Sequence, residues 1–199
     1  MTPTRTAIEE VPRTQKRASA LPPGERRSMI VQATLPLLLE HGEMVTTRQI
    51  ADAAGIAEGT IFRVFADKDE LIAAVLDAAL DTAALEQALA TVDASLPFED
   101  RITASVEILQ RRTVDIWRLV SSIGTKFHDS TRRPITDLNA LVAMFEQHRD
   151  RLAVEPLVAA RLLRAFTLSL THPALIDEPM SPDEIVRFFF RGTAEEHRC

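Results

Sequence analysis

The stretch that decides the fold is VTTRQIADAAGIAEGTIFRVFADKDEL, residues 45–71. Its apolar spacing predicts two short helices, Thr47–Ala54 and Ala57–Phe65, separated by little more than Gly55. A glycine suits the sharp turn between two such helices, because the backbone there often adopts a left-handed conformation. The pattern therefore predicts a helix-turn-helix over roughly residues 47–64.

The residue types on these two helices separate an inward side from an outward side. Ile50 gives the first helix a narrow apolar face, while Ile61 and Phe65, four residues apart, anchor the second. Thr47 has a side chain that can cap the first helix. Because a recognition helix reads base edges with its outer, N-terminal side, the arrangement indicates DNA binding. That side carries Glu58, Gly59, Thr60, Phe62 and Arg63.

The rest of the chain predicts further helices and no β-strand. A first helix over about residues 25–41 ends at Gly42, and Pro36 should bend it because proline removes a backbone donor. The capping pattern that starts at Asp67 opens a longer helix towards residue 90. We expect an all-α fold of about nine helices. The later helices are predicted to start near Pro97, Pro134, Pro156 and Ser181.

These elements divide the chain into three predicted regions. Residues 1–24 show no periodicity and end in two prolines and a glycine, so we expect a flexible arm. Its basic residues either enter a minor groove or belong to a solvated tail. Residues 25–72 form a three-helix domain that contains the helix-turn-helix, and residues 73–199 form a larger helical domain.

Composition and charge bound the class of protein. The net charge of −6 arises mainly in residues 73–199, since residues 1–72 carry nine basic and ten acidic side chains. DNA binding needs a basic face rather than a basic chain, so the total charge does not exclude it. No apolar run is long enough to span a bilayer, and the N-terminus lacks the apolar stretch of a secretion signal. We expect a cytoplasmic protein with no membrane contact.

Motifs for catalysis and metal binding are missing from the sequence. There is no Gly-rich phosphate loop, nucleophile elbow or paired-histidine motif. Cys199 is the single cysteine, which excludes an internal disulfide and a multi-cysteine zinc site. His128, Asp129 and His148 lack the tight spacing of metal ligands. We expect no enzymatic activity, no cofactor and no metal.

Residues 27–71 resemble the DNA-binding domain of the TetR/AcrR family of bacterial transcriptional regulators. The match keeps order and spacing over about 45 residues. It implies a homodimer that binds an approximately palindromic operator on double-stranded DNA. The matching residues are Ile30, Ala33, Gly42, Thr46, Thr47, Arg48, Gln49, Ile50, Ala51, Asp52, Ala53, Ala54, Gly55, Gly59, Thr60, Ile61, Phe62, Phe65, Lys68, Glu70 and Leu71.

The resemblance also implies which residues position the protein on DNA. Thr47 and Arg48 begin the positioning helix and would touch phosphate, and the arginine in some similar proteins reaches a guanine edge. Gly59 would allow the backbone to approach a phosphate closely. Lys68 would add its charge and a helix N-terminus to another phosphate contact.

Base reading is expected from the second short helix, where two departures from the family occur. Thr60 and Arg63 would face the major groove, where threonine meets a thymine methyl group and arginine pairs with guanine. Phe62 replaces the usual tyrosine and has no hydroxyl for a phosphate. Ala57 stands where Ser or Thr often caps the helix. Glu58 is expected to discriminate between bases, for example by accepting from a cytosine amino group.

The larger domain carries candidate contacts for an effector. Pockets between helices combine apolar walls with few polar groups, so we expect a small, largely apolar molecule. The alternative for each candidate residue is an ordinary core or surface role. The candidates are Leu109, Trp117, Phe127, His128, Met144, Phe145 and His148.

The last two long helices, about residues 156–171 and 181–197, are expected to form the dimer as a four-helix bundle with their symmetry mates. Dimerisation has a functional reason, because two recognition helices must meet successive major grooves on one face of DNA. The expected interface residues are Leu157, Ala160, Leu163, Val186, Phe189 and Phe190.

These expectations combine into a ligand-responsive repressor, in which a small molecule shifts the helix that starts near Lys68 and releases DNA. One alternative is a DNA-binding regulator without a small-molecule effector, controlled by a protein partner. A filled core in the larger domain would favour it. Another is an enzyme that merely resembles the fold, which would need a cavity with converging titratable groups.

Overall fold

The computed structural model describes residues 22–124 and 136–193. Within these ranges the chain forms α-helices and short 3₁₀ turns, without a β-strand. The all-α prediction is confirmed, and the expected number of about nine helices is close to what these ranges contain. The helices are α1 (Pro23–His41), α2 (Thr47–Ala54), the single turn α3 (Glu58–Ile61), α4 (Lys68–Leu80), α5 (Ala83–Ala90), α6 (Phe98–Ser122), α7 (Asn139–Glu146), α8 (Pro156–Ser169) and α9 (Pro182–Thr193).

Side-chain caps set the starts of three of these helices. Thr46 caps α2, because its hydroxyl accepts from the Gln49 N–H at 3.2 Å and the Gln49 side chain accepts from the Thr46 N–H at 2.8 Å. The prediction that Thr47 is the cap was wrong by one residue. Asp67 caps α4 as predicted, accepting from the Glu70 N–H at 2.8 Å. Ser181 forms the expected capping box at the start of α9.

Helices α1 and α3 differ from their predicted bounds. Helix α1 begins at Pro23, two residues early, because proline is compatible with the first helical turn. It continues through Pro36 to His41. The predicted recognition helix is regular only to Ile61, and a tight turn then carries the chain to Phe65, whose N–H donates to the Ile61 carbonyl at 2.9 Å.

The long helix predicted to run from Asp67 towards residue 90 is two helices. Helix α4 ends at Leu80, and Asp81 turns the chain, because its carboxylate accepts from the Ala83 N–H at 3.0 Å and so starts α5. Helix α7 likewise starts at Asn139 rather than near Pro134, which lies outside the described residues. The Glu86 carboxylate accepts from the Asn139 N–H at 2.5 Å.

Two hydrophobic cores organise the fold. Helices α1 to α4 enclose the first core, which also contains Leu119 and Ile123 from the end of α6. Helices α5 to α9 enclose the second core, to which the first half of α6 contributes Phe98, Ile102, Val106 and Leu109. The predicted boundary after residue 72 falls inside α4, because that helix continues the first core to Leu76. None of the helices in the described ranges is long and apolar enough to cross a bilayer.

Gly42 brings the end of α1 against the end of α6. Its φ of +56° and ψ of −140° define a backbone conformation that residues other than glycine rarely adopt. A Cβ atom built on it would lie 2.4 Å from the Ser122 carbonyl oxygen. The predicted helix stop is therefore also a close contact between the end of α1 and the end of α6.

Replacing Gly42 with alanine should destabilise the protein. The backbone conformation alone should cost about 2 kcal/mol, which corresponds to a melting temperature about 4–8 °C lower for a chain of this size. Gly24→Ala is the matched control, because a Cβ at Gly24 meets no atom within 4 Å. Thermal unfolding followed by circular dichroism makes the comparison, and equal melting temperatures for the two variants would contradict the contact.

Candidate functional site

The predicted helix-turn-helix is present as α2 and α3, joined through Gly55 at a φ of +65°. Ile50 and Ala51 of α2 and Ile61 and Phe65 at α3 and its following turn are buried. These four anchors leave the opposite side of α3 to solvent. The sequence pattern therefore identified the inward side correctly.

The residues predicted to contact DNA lie at the start of α2, on α3 and its following turn, and at the start of α4. None of them belongs to the core. Their contacts with DNA stay a prediction. Arg48, Glu58, Gly59, Phe62 and Arg63 are exposed, and Thr47, Thr60 and Lys68 are partly exposed.

A hydrogen bond joins the two helices at this surface. The Thr47 hydroxyl donates to the Glu58 carboxylate, which links the first residue of α2 to the first residue of α3. The Thr47 hydroxyl proton is thereby occupied, whereas the first backbone N–H groups of α2 have no acceptor within the helix and suit a phosphate contact. Glu58 therefore holds α3 in place, a role that the sequence did not indicate.

Arg27 of α1 fixes the turn that follows α3. Its guanidinium donates to the Val64 carbonyl at 3.3 Å and to the Glu70 carboxylate at 3.2 Å. The same group lies over the Phe65 ring, 4.3 Å from its centroid. One side chain thus holds α1, the turn and the start of α4 together. Sequence reasoning missed Arg27, because residues 37 and 43 positions away from it cannot be read as neighbours from spacing.

The Glu70 carboxylate completes this arrangement. It accepts from the Ala66 N–H at 2.6 Å. The pKa of Glu70 is lowered chiefly by this backbone hydrogen bond, with a further contribution from Arg27. The carboxylate is therefore ionised at neutral pH and keeps both of its partners.

Lys68 is held at the N-terminus of α4. Its ammonium group donates to the Glu43 carbonyl at 2.6 Å. An ammonium group has three N–H donors, so this bond leaves two of them available. The position suits the predicted phosphate contact, because the charge lies beside the free N–H groups of the helix.

A cavity of about 550 Å³ lies among α4, α5, α6 and α8. Leu109 and Trp117, two of the residues predicted to contact an effector, line it, and their contact with an effector stays a prediction. Its walls combine aliphatic side chains with two arginines, several threonines and a histidine. The lining residues are Leu80, Asp81, Thr82, Leu85, Leu109, Arg112, Thr113, Ile116, Trp117, Thr136, Arg164, Thr167, Leu168 and His172.

Three other predicted pocket residues lie elsewhere. Met144 and Phe145 are buried in the second core, and His148 stacks on Phe98 with ring centroids 4.1 Å apart. Burial, and then the charges of Arg101 and Arg151, lowers the pKa of His148, which favours the neutral ring. These residues are thus corrected to core and packing roles. Phe127 and His128 lie outside the described residues.

Most of the predicted dimer-interface residues are covered by the chain itself. Ala160, Leu163, Val186 and Phe189 are at most 5% exposed, so a partner cannot reach them. Helical periodicity showed that α8 and α9 are apolar but not which stripe faces inward. Leu157 remains accessible at 37%, and Phe190 packs in part against Phe98 and Phe189. The exposed apolar residues of the two helices are Leu157, Val158, Phe166 and Phe188.

The family model for "Bacterial regulatory proteins, tetR family" matches residues 30–75. These residues include α2, α3 and the part of α4 up to Val75. Residues 30–75 thus form a DNA-binding domain of the TetR family. The match and the similar proteins described below support a TetR-family transcriptional regulator.

The similarity to one known protein extends over more of the chain than residues 30–75. An uncharacterized HTH-type transcriptional regulator of Mycobacterium tuberculosis H37Rv is 27% identical over 175 residues, which cover 82% of this chain and 74% of the relative.

Solved structures are similar in fold. Reduced NemR from E. coli has a TM-score of 0.57 at 18% identity, with 88% of this chain and 100% of that chain covered. NalD from Pseudomonas aeruginosa, the secondary repressor of the MexAB-OprM multidrug efflux pump, has a TM-score of 0.50 at 22% identity, with 87% and 98% covered. At these identities the likenesses show the fold.

Gly59 offers a direct test of the DNA-facing surface of this TetR-family protein. A Cβ there would meet no protein atom within 4 Å and the backbone φ is not positive, so the fold itself does not need glycine. Gly59→Ala should keep the melting temperature but weaken DNA binding about 10-fold by holding a phosphate away from the backbone. Fluorescence anisotropy with labelled duplex DNA measures the affinity. If the variant binds as tightly as the unmodified protein, Gly59 does not approach the phosphate.

Proposed function

We propose that this TetR-family regulator is a repressor that binds an approximately palindromic operator as a homodimer and is released by a small molecule. The observation that carries the proposal is the course of α6. This helix lines the cavity with Leu109, Arg112 and Trp117 and then buries Leu119 in the first core, where Ile123 follows it. One helix therefore connects the cavity to the domain that faces DNA, as ligand control of DNA binding requires.

Helix α4 supplies a second connection. Leu80 and Asp81 at its C-terminal end line the cavity, while Lys68 at its N-terminal end belongs to the DNA-facing surface. A ligand that moves the C-terminal end of α4 would reorient the other end, because α4 is a rigid helix of 13 residues. Ligand would release DNA because it prefers the conformation in which the two DNA-reading surfaces are wrongly spaced.

Homodimerisation is proposed through α8 and α9. Val158 and Phe166, two helical turns apart on α8, and Phe188 on α9 are 41%, 39% and 50% exposed. These side chains form an apolar face on two neighbouring helices, and a second copy of the chain would cover it as a four-helix bundle. This face replaces the buried residues that the sequence pattern suggested.

The cavity favours a small-molecule effector over control by a protein partner alone. Its volume of about 550 Å³ lies within the range of small-molecule sites, whereas regulation by a partner would be compatible with a filled core. The repressor role agrees with NalD, which is a repressor. Proteins of this family are generally not enzymes. We propose that the protein regulates transcription in the cytoplasm.

The Thr60→Ala/Arg63→Ala variant tests the proposed recognition surface. Both residues are accessible and neither side chain belongs to the core, so the variant should fold and dimerise normally. Its preference for the operator over random DNA should fall about 10-fold or more, because base-edge contacts are lost. Competition binding assays at one fixed salt concentration measure this ratio.

Arg111→Ala is the control for this experiment, since it removes the same charge from an exposed position on α6. It should leave the ratio of specific to non-specific binding intact. A Thr60/Arg63 variant with unchanged specificity would assign base reading to other residues.

A further inference from the structure

Two arginines lie in a cavity whose other walls combine apolar side chains with several threonines, Asp81 and His172. Arg112 comes from α6 and Arg164 from α8, and both side chains are half-buried. Leu85, Ile116 and Trp117 are among the apolar residues beside them. Placing cations at a cavity wall costs free energy, because a charge is better solvated in water than against apolar side chains.

Both arginines donate hydrogen bonds to neutral carbonyl groups. The Arg112 guanidinium donates to the Asp81 carbonyl at 2.5 Å. The Arg164 guanidinium donates to the Thr136 carbonyl. Within residues 22–124 and 136–193, neither arginine forms an ion pair with a carboxylate. Both charges therefore lack a direct counterion in this part of the chain.

Three carboxylates of the surrounding segments are occupied by other groups. Asp81 accepts from the Ala83 N–H at 3.0 Å, and Glu86 accepts from the Ala140 N–H at 2.9 Å. Asp137 accepts from Arg161 through both of its oxygens, at 2.7 and 2.8 Å. Asp81 and Asp115 attract Arg112, and Asp137 and Glu86 attract Arg164, which raises the pKa of each arginine by less than burial lowers it. None of these carboxylates, all of which lie in the described ranges, forms an ion pair with either arginine.

The two cations repel each other across the cavity. Burial lowers the pKa of both Arg112 and Arg164, and the charge of Arg112 lowers the pKa of Arg164 further. An anion between them would restore solvation and remove the repulsion. Arginine is also the side chain best suited to grip a carboxylate, because its planar donors match two oxygens.

We propose that the cavity binds a small organic anion, with its carboxylate between Arg112 and Arg164 and its apolar body against the leucine, isoleucine and tryptophan walls. This assignment deepens the proposed function, on which it rests, by naming the chemical class of the effector. It also replaces the expectation of a largely apolar molecule, which followed from a sequence pattern that did not place either arginine in the pocket.

The same geometry supplies a step by which the anion acts on α4. Asp81 is the C-terminal cap residue of α4, and Arg112 holds its carbonyl. A carboxylate that draws the Arg112 guanidinium towards Arg164 would weaken this hydrogen bond to the carbonyl. Binding therefore loosens the C-terminal end of the helix whose first residue, Lys68, lies at the DNA-facing surface.

Trp117 provides the readout, because it is the single tryptophan of the chain and lines the cavity. Octanoate and 1-octanol are suitable probes, since they share an alkyl chain and differ in charge. Titrating each into the full-length protein should quench or shift Trp117 emission, with octanoate binding at least about 10-fold more tightly. Equal affinities, or tighter binding of octanol, in the unmodified protein would overturn the proposal without any variant.

Arginine variants then locate the anion. Arg112→Gln and Arg164→Gln should each weaken octanoate binding at least about 10-fold and leave octanol binding unchanged, which also shows that the cavity remains folded. Arg111→Gln is the matched control, because it removes a charge from the adjacent, exposed position of α6. Octanoate binding that survives in both cavity variants would place the anion elsewhere.

A separate measurement distinguishes failure of this site from failure of the proposed function. The fluorescence titrations contain no DNA, so they test the anion site whether or not the protein reads an operator. Octanoate should also lower operator affinity, and Arg112→Gln should remove that effect. If octanoate binds at the arginines but leaves operator affinity unchanged, ligand-induced release is contradicted. The assignment of the anion site would then still hold.

Discussion

The packing of α6 into both hydrophobic cores is the constraint on which the rest of the structure depends. Its first half lies among α5, α7, α8 and α9 in the second core. Its last turn buries Leu119 in the first core, with Ile123 just beyond. Between these two ends the helix forms one wall of the cavity. A conformational change of the larger domain around the cavity therefore acts on a helix that is also part of the first core. Gly42 tightens this junction, because the end of α1 meets the backbone of Ser122 there.

The DNA-facing surface is built from local charge rather than overall charge. The chain carries a net charge of −6, yet Arg48, Arg63 and Lys68 lie on or beside the N-terminal turns of α2, α3 and α4. Arg27 has a structural role instead, because it holds the turn after α3 against α4. The surface thus combines exposed cations that can meet DNA with a buried framework that fixes their positions.

Sequence periodicity predicted the elements whose signals are local. The caps at Asp67 and Ser181, the turn at Gly55 and the inward side of α3 all depend on residues within one or two helical turns. Features that depend on distant segments were missed or misplaced. The break at Asp81 is local but was also missed, because both flanking segments have strong helical patterns.

The interface and pocket predictions erred for the same reason. An apolar stripe on α8 or α9 looks alike whether it faces the chain's own core or a partner, so Leu163 and Phe189 were assigned outward although they are fully buried. Arg112 and Arg164 resemble ordinary solvated residues in the sequence. Their meeting in one cavity is created only by the packing of α6 on α8.

The central claim is that a symmetric dimer of this TetR-family protein reads a specific DNA sequence. The most direct test is selection of binding sites from random duplex DNA with the purified full-length protein. The account predicts an enriched site of two half-sites related by a two-fold axis, with their centres about one or two helical turns apart. Enrichment of a single asymmetric motif, or of no motif at all, would contradict it.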